Sequence, residues 1–286
     1  MSNKTISLVL GSGGARGLAH VGVIRWLEEN GHEIKSISGC SIGSLIGGAY
    51  ATGKLDAVVE WMESFTRKEI YSMLDLSFTW NSLVKGDKMM AAIQSKIGTD
   101  LIEDLPIKFT AVAADIAAEK EHWFQSGPID QAIRASVSLP LFFTPHNVGG
   151  VQLIDGGILN PTPIEPTLGD NTDISIAVDL GGPLMKEAAL EPEEARSPWQ
   201  QKMDDFLESM KSSESQPKDQ WDMFYIADQS FNTMQNAIAR GRMADNPPDH
   251  LISVPRNKCG TLEFDRSAEM IEHGYRLAAE QLSGKL

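Results

Sequence analysis

The chain has 286 residues, of which 42% are hydrophobic and 22% are charged, and its formal net charge is −14. This length and composition are typical of a globular protein with one large α/β domain or two small ones. The negative charge repels nucleic-acid phosphates and anionic lipid headgroups, which argues against a nucleic-acid partner, and no apolar run approaches the ~18–20 residues of a membrane span.

The first predicted strand runs from Thr5 to Leu10 and has no secretory leader before it, so we expect a cytoplasmic protein. The strand ends in a glycine-rich turn with the sequence Gly11-Ser12-Gly13-Gly14-Ala15-Arg16-Gly17. Without Cβ atoms on Gly13 and Gly14, the backbone amides of this turn can converge on one point near the start of the next helix. Such a point can stabilise a developing negative charge.

Arg16 can either anchor this turn or add positive potential to it. Two other interpretations of the turn are a dinucleotide-binding loop and a plain connection from strand to helix. A dinucleotide loop has its third glycine at the sixth position, which is Arg16 here, and Gly17 comes one position later. That loop also requires an acid at the end of the second strand. This chain has a serine motif there instead, which disfavours a dinucleotide site.

The second predicted strand, over residues 34–38, leads into Gly39-Cys40-Ser41-Ile42-Gly43, and a helix of small residues follows over 44–50. A strand, the pattern G-x-S-x-G and a helix in this order are the context of a nucleophile elbow. Gly39 and Gly43 let the backbone close around a strained serine, and the helix start places partial positive charge beside it. We therefore predict that Ser41 is the nucleophile of an acyl hydrolase. A glycine-rich turn with a solvated serine is the alternative.

The remaining elements before residue 182 alternate between helix and strand. We predict helices over 18–30, 55–67, 87–97 and 129–135, strands over 109–114, 151–154 and 173–180, and a polar hairpin over 121–124. This alternation predicts a mainly parallel sheet with right-handed crossovers, and hence an α/β fold.

Asp155 follows the apolar strand over 151–154 and precedes Gly156 and Gly157, which open access to it. In a doubly wound sheet the carboxyl ends of the strands face one crevice, so we expect Asp155 to meet the turns after the first two strands. A simple Asp-Gly turn is the alternative. No histidine lies in a recognisable catalytic turn. The six histidines are His20, His32, His122, His146, His250 and His273.

The composition changes between residues 183 and 219, where nine acidic residues stand against five basic ones. Apolar residues recur at helical spacing within this acidic insert and beyond it. The two stripes are Trp199, Met203, Phe206, Leu207 and Met210, and Trp221, Phe224, Tyr225, Phe231, Met234 and Ile238. We expect two helices that pack their apolar faces on the sheet; a mobile lid, or a surface that faces an acyl chain or a membrane, is the alternative.

A short strand over 251–254 and a closing helix over 262–282 end the predicted elements. We divide the chain into a catalytic core over 1–182 and an extension over 183–286 that packs on the same domain. The two cysteines, Cys40 and Cys259, are predicted to be reduced thiols, because a disulfide from Cys40 would distort the elbow.

The glycine-rich turn, the serine motif and the Asp155-Gly156-Gly157 turn occur in the order and spacing of the patatin-like phospholipases. The chain resembles the bacterial branch of that family, which is related to neuropathy target esterase, and the segment from Ala135 to Pro140 also matches. The resemblance covers roughly residues 5–180. It implies a three-layer α/β/α sandwich, lipid acyl esters as substrates, and a Ser-Asp dyad with Ser41 as nucleophile and Asp155 as proton acceptor.

By the same resemblance, the amides around Ser12, Gly13 and Gly14 form the oxyanion hole, and neither a metal nor a cofactor is expected. Ser12 departs from the family pattern, since many members carry a third glycine there, so the donor set stays open. The residues expected to support the turns and the elbow are Arg16, Gly17, Gly39, Gly43, Gly156 and Gly157.

These features favour a hydrolase of lipid acyl esters, of phospholipase or lysophospholipase type, whose partners are the lipid substrate and, transiently, a membrane surface. A Ser-His-Asp triad with His250 or His273 is a second hypothesis, although in α/β-hydrolases the nucleophile follows the fifth strand rather than the second. A catalytically idle adaptor with the same fold is an alternative from another class. The head group, the chain length and the oligomeric state are not specified by the sequence.

Overall fold

The computed structural model describes residues 3–65, 85–140, 143–185 and 223–286. Several expectations lie outside these residues. They are the acidic insert beyond residue 185, the stripe from Trp199 to Met210, Trp221, and the side chains of Phe224 and Tyr225.

The described residues form one sheet of eight strands in the order β5-β6-β3-β2-β1-β7-β8, with β4 paired to β3. The strands are β1 (Thr5–Leu10), β2 (Glu33–Cys40), β3 (Lys108–Asp115), β4 (Lys120–Phe124), β5 (His146–Val148), β6 (Val151–Asp155), β7 (Ile174–Gly182) and β8 (His250–Pro255). Strands β3, β2, β1, β7 and β8 are parallel to their neighbours in that series. The predicted mainly parallel sheet is therefore confirmed.

Seven α-helices accompany the sheet in the described part of the chain. They are α1 (Ala19–Glu29), α2 (Ile42–Ala51), α3 (Leu55–Glu63), α4 (Lys85–Ile97), α5 (Ile129–Ser136), α6 (Met223–Asp245) and α7 (Ser267–Leu282). The predicted helix over 55–67 thus ends earlier, at Glu63, and β2 continues to Cys40.

Both faces of the sheet are covered, and β1 shows how. Ile6, Leu8 and Leu10 belong to the main core, which the helices α1, α2, α5 and α7 share. Val9, between them, points to a small second cluster against which Met243 of α6 packs. Successive strand residues face opposite sides, so a strand that is buried along its length, as β1 is from Ile6 to Leu10, requires a layer on each side. This arrangement is the expected three-layer α/β/α sandwich.

Strand β6 differs from the expected arrangement, because it runs antiparallel to β3 and to β5. Asp155 nevertheless lies near the carboxyl edge that the parallel strands share, because it pairs with Ala113 close to the end of β3. It reaches the site from the opposite direction, along the edge of β3 that β2 leaves free after Cys40.

The apolar stripe on α6 is also placed differently from the expectation. Met234 is 57% exposed, and Phe231 and Ile238 are half-buried, whereas Gln235 and Ala239 are buried. The expectation that this stripe packs on the sheet is wrong for Met234, since the helix turns a partly polar face inward. Among the helices that the structure describes, none has an apolar stretch of the length that a bilayer crossing requires.

Candidate active site

Ser41 lies between the end of β2 and the first residue of α2, and its backbone is strained. Its φ is 55° and its ψ is −123°, a left-handed conformation that non-glycine residues adopt rarely and at a cost of about 1–3 kcal/mol. The chain approaches itself closely on either side. A Cβ on Gly39 would lie 2.5 Å from the Gly43 carbonyl oxygen, and a Cβ on Gly43 would lie 2.1 Å from that of Leu10. The positive φ of Ser41 and these two close approaches fit the tight strand-to-helix turn that the sequence predicts.

Hydrogen bonds fix the backbone of the elbow on both sides of the serine. The Ser41 N–H donates to Ser136 Oγ at 2.9 Å, and this hydroxyl donates to the Val112 carbonyl at 2.6 Å. The Ser41 carbonyl accepts from the Ser44 N–H at 2.9 Å and from Ser44 Oγ at 2.7 Å. Ser136 lies in the segment from Ala135 to Pro140 that matches the family, but no role for its side chain was predicted from the sequence. These contacts hold the backbone and leave the Ser41 hydroxyl available for chemistry.

Asp155 is fully buried beneath the elbow. Its Oδ1 accepts the Gly157 N–H at 2.8 Å and lies 3.9 Å from Cys40 Sγ. Its Oδ2 has no partner in strict hydrogen-bond geometry among the described residues. Burial raises the pKa of Asp155 to about 6, and the Ser41 hydroxyl, the Gly157 N–H and the Cys40 thiol oppose that rise.

The Ser41 hydroxyl therefore lies close enough to influence this carboxylate, but outside strict hydrogen-bond geometry. Catalytic hydrogen bonds are often long before a substrate binds, so this separation is compatible with proton transfer. With a pKa of about 6, Asp155 is ionised at neutral pH and is a stronger base than an exposed aspartate.

The glycine-rich turn presents two unengaged amides. The Ser12 N–H donates to the Pro161 carbonyl at 2.7 Å, and the Ala15 N–H donates to the Thr261 carbonyl at 2.9 Å. Within the described residues, the N–H groups of Gly13 and Gly14 have no hydrogen-bond acceptor. The N–H groups of Gly13 and Gly14 can thus donate to an anion without breaking a hydrogen bond, whereas that of Ser12 cannot.

Arg16 is buried and anchors the turn. Its guanidinium donates to the Leu180 carbonyl at 3.2 Å, the Cys259 carbonyl at 3.1 Å and Asn232 Oδ1 at 3.0 Å. Burial lowers the pKa of Arg16 from its usual value. These three hydrogen bonds support a role for Arg16 in anchoring the turn rather than in adding positive potential to it. Its neighbour Gly17 lies against Ile42, since a Cβ there would be 2.3 Å from a methyl group of that isoleucine.

The turn after Asp155 is held as closely as the elbow. A Cβ on Gly156 would lie 2.3 Å from the Val112 carbonyl oxygen. A Cβ on Gly157 would lie 2.1 Å from Gln235 Nε2 and 2.9 Å from Ser12 Oγ. Gln235 belongs to α6, and no sequence pattern pointed to it.

An apolar groove opens beside Ser41. The volume that the centre of a water molecule can occupy in this groove is about 110 Å³. On the same measure a cavity for a single water needs only roughly 10–15 Å³. Three polar or glycine positions, Gly14, Ser41 and Thr261, lie on its wall. The other lining residues are Ile42, Leu45, Trp61, Met62, Phe65, Met89, Ile93, Val137, Leu139, Phe143, Leu262 and Phe264. Such a lining suits an alkyl chain.

The histidines do not line this groove, although all six lie in the described part of the chain. His20 is fully buried, and its Nε2 is 2.9 Å from the Gly11 carbonyl oxygen. Burial lowers the pKa of His20 to about 4. His250 begins β8, and His273 lies in α7. Cys40 and Cys259 are both free and buried, as expected.

The chain matches a known protein family and several individual proteins. The patatin-like phospholipase family matches residues 8–168. An uncharacterised NTE family protein of Mycobacterium tuberculosis H37Rv is 35% identical, over 98% of this chain and 92% of its own length. The lysophospholipase NTE1 of Debaryomyces hansenii is 34% identical over 63% of this chain and 12% of its own length. Among solved structures, VipD of Legionella pneumophila matches with a TM-score of 0.47 and 17% identity, over 98% of this chain and 66% of its own.

Proposed function

This chain belongs to the patatin-like phospholipase family, and from that premise we propose that it hydrolyses lipid acyl esters with Ser41 as nucleophile and Asp155 as proton acceptor. One observation carries the proposal. Ser41 lies at a strained elbow between a buried carboxylate with a raised pKa and an apolar groove that it lines itself. A serine, a base and an apolar binding site are the parts that lipid ester cleavage requires.

The first step is acylation of the serine. Ser41 Oγ forms a bond to the ester carbonyl carbon while its proton passes to the Asp155 carboxylate. The carbonyl π electrons move to the oxygen, and the resulting oxyanion accepts hydrogen bonds from the N–H groups of Gly13 and Gly14. Loss of one such donor typically costs roughly 3–4 kcal/mol of barrier height.

The second step releases the products. The oxyanion collapses, the ester C–O bond breaks, and the leaving alcohol takes the proton from Asp155, which leaves an acyl group on Ser41. A water molecule then attacks the acyl carbon and gives its proton to Asp155. Collapse of this second intermediate frees the fatty acid and returns the proton to Ser41 Oγ.

The groove determines the class of substrate. Its apolar wall binds an acyl chain, and its half-buried rim residues meet a lipid surface transiently. The rim residues are Phe65, Leu139, Phe143, Leu262 and Phe264. Because some relatives carry the name lysophospholipase, we expect lipids with a single acyl chain to be substrates of this chain. A net charge of −14 favours zwitterionic over anionic surfaces.

Fatty-acid release from lysophosphatidylcholine and from phosphatidylcholine vesicles tests the proposal. Wild type and the Ser95→Ala variant, in which an exposed serine of α4 is replaced, should release fatty acid at equal rates. Ser41→Ala should fall to the background rate and keep its thermal unfolding transition. Turnover by Ser41→Ala, or a wild type inactive on every ester offered, including a short-chain nitrophenyl ester, would exclude the proposal.

A further inference from the structure

Helix α6 lies outside residues 8–168, which match the family, yet its inward face reaches the candidate active site. Asn232, Gln235 and Arg242 are spaced three and seven residues apart, so they project from one side of the helix. Asn232 accepts a hydrogen bond from Arg16 in the glycine-rich turn. Arg242 donates to the Leu159 carbonyl at 3.3 Å, just after the Asp155 turn.

Gln235 stands between those two contacts and is only 6% exposed. Its Nε2 donates to Ser12 Oγ at 3.3 Å. The point where a Cβ on Gly157 would sit is 2.1 Å from this nitrogen, 2.9 Å from Ser12 Oγ and 3.0 Å from Asp155 Oδ1. Three segments therefore meet in the space that a missing side chain leaves: the glycine-rich turn, the Asp155 turn and α6.

We propose that Gln235 is a positioning residue of the hydrolase, whose side-chain amide sets the distance between the oxyanion-binding turn and the turn that carries Asp155. This inference rests on the proposed function. The amide bonds the residue next to Gly13 and packs on the residue whose N–H holds the Asp155 carboxylate. If the amide is lost, the two turns lose their shared contact and can shift relative to each other, although every group that takes part in the chemistry is still present.

The charge of the side chain at position 235 also matters. The groups that face Asp155 are the Cys40 thiol from β2, the Ser41 hydroxyl and the Gly157 N–H. Glu121 of β4 lies near Cys40, and its charge is paired with Arg242 at 2.5 Å. A neutral amide at 235 adds no charge to this buried cluster. A carboxylate there would stabilise the protonated form of Asp155.

The test uses two substitutions at Gln235 and the same two at Gln229, an exposed glutamine on the same helix. We expect Gln235→Leu and Gln235→Glu to lower kcat for a short-chain nitrophenyl ester by roughly tenfold with KM within about twofold, the effect of losing one positioning hydrogen bond. Gln235→Glu should also move the acidic limb of the pH profile upward by on the order of one pH unit. Both Gln229 variants should match wild type.

A double-mutant cycle separates positioning from a general loss of stability. Ser12→Ala removes the same contact from its other side, so Ser12→Ala with Gln235→Leu should be no slower than Gln235→Leu alone. If Gln235→Leu does not fold, Ser12→Ala by itself should show the fall in kcat. Additive losses in the cycle would contradict the inference, as would Gln235 variants that are as fast as an active wild type. An inactive wild type would instead exclude the proposed function.

Discussion

Cys40 and Asp155 end two strands that approach each other along one edge of β3, where they pair with the adjacent residues Val112 and Ala113. Because Ser41 follows Cys40 directly, this register alone brings the serine and the carboxylate together. The pairing is made by backbone hydrogen bonds inside a sheet, which is a rigid scaffold for a two-residue site. It requires no histidine between the two groups.

The pH dependence of hydrolysis should report the ionisation of Asp155. Burial raises the pKa of this carboxyl to about 6, and only its ionised form can accept the Ser41 proton. We therefore expect kcat/KM to rise about tenfold per pH unit below pH 6 and to level off above it. The measurement is kcat/KM for a short-chain ester between pH 4.5 and 8.5. A profile that is flat through pH 6 would contradict the assignment of Asp155 as the base.

Asp155→Asn should remove activity and yet stabilise the protein at alkaline pH. The folded-state pKa of Asp155, about 6, lies above its ordinary value of 3.8, so the folded state loses stability as pH rises between these values. Above pH 6 this cost is complete and amounts to as much as about 3 kcal/mol. We expect urea unfolding at pH 8 to show a more stable variant, with a smaller gain at pH 4.5.

The exposed carboxyl of Asp104 provides the control for this experiment. Asp104→Asn should change the free energy of unfolding by no more than about 0.5 kcal/mol at either pH. An Asp155→Asn variant that is less stable than wild type at pH 8 would show that the buried charge is compensated.

Replacing the candidate histidines should leave hydrolysis intact. Neither His250 nor His273 lines the groove beside Ser41, so His250→Gln and His273→Gln should keep kcat/KM within about twofold of wild type. Steady-state kinetics on a short-chain ester measures this directly. A fall of about a thousandfold or more in either variant would support a triad instead.

Ser136 should matter for both stability and rate. Its hydroxyl accepts from the Ser41 N–H and donates to the Val112 carbonyl, and Ser136→Ala removes both of these hydrogen bonds. The expected loss is about 1–3 kcal/mol in the free energy of unfolding, together with a lower kcat as the elbow relaxes. Urea unfolding and kinetics should be measured beside Ser95→Ala. Wild-type values for Ser136→Ala would show that the elbow does not depend on this hydroxyl.

The local features of the site could be predicted because each one is encoded within a few consecutive residues. The glycines around Ser41 predict a tight turn between strand and helix. The structure has that turn, and the φ of Ser41 in it is 55°. Likewise, the continuous apolar run over 109–114 is the pattern of a strand buried on both faces, and all six of its residues are buried in β3. The antiparallel direction of β6 could not be predicted, since the sequence of a five-residue strand does not reveal which way it runs.

The contact of α6 with the candidate site could not be predicted from the sequence, for a different physical reason. Gln235 meets Ser12 across 223 residues of chain, and the contact depends on how a whole helix is rotated against the sheet. Hydrophobic spacing predicted that Met234 would face inward, but hydrogen bonds from Gln235 and Arg242 favour a rotation that buries Gln235 and leaves Met234 exposed. Periodicity detects an apolar face and cannot detect polar partners that lie far along the chain.

Covalent labelling shows directly whether Ser41 is the nucleophile. Wild type should be treated with a fluorophosphonate, digested and analysed by mass spectrometry, in parallel with Ser41→Ala and Asp155→Asn. We expect a single adduct on the Ser41 hydroxyl of wild type, none on Ser41→Ala, and much slower labelling of Asp155→Asn. An adduct on another residue, or an unlabelled Ser41 in an enzyme that hydrolyses esters, would contradict this expectation.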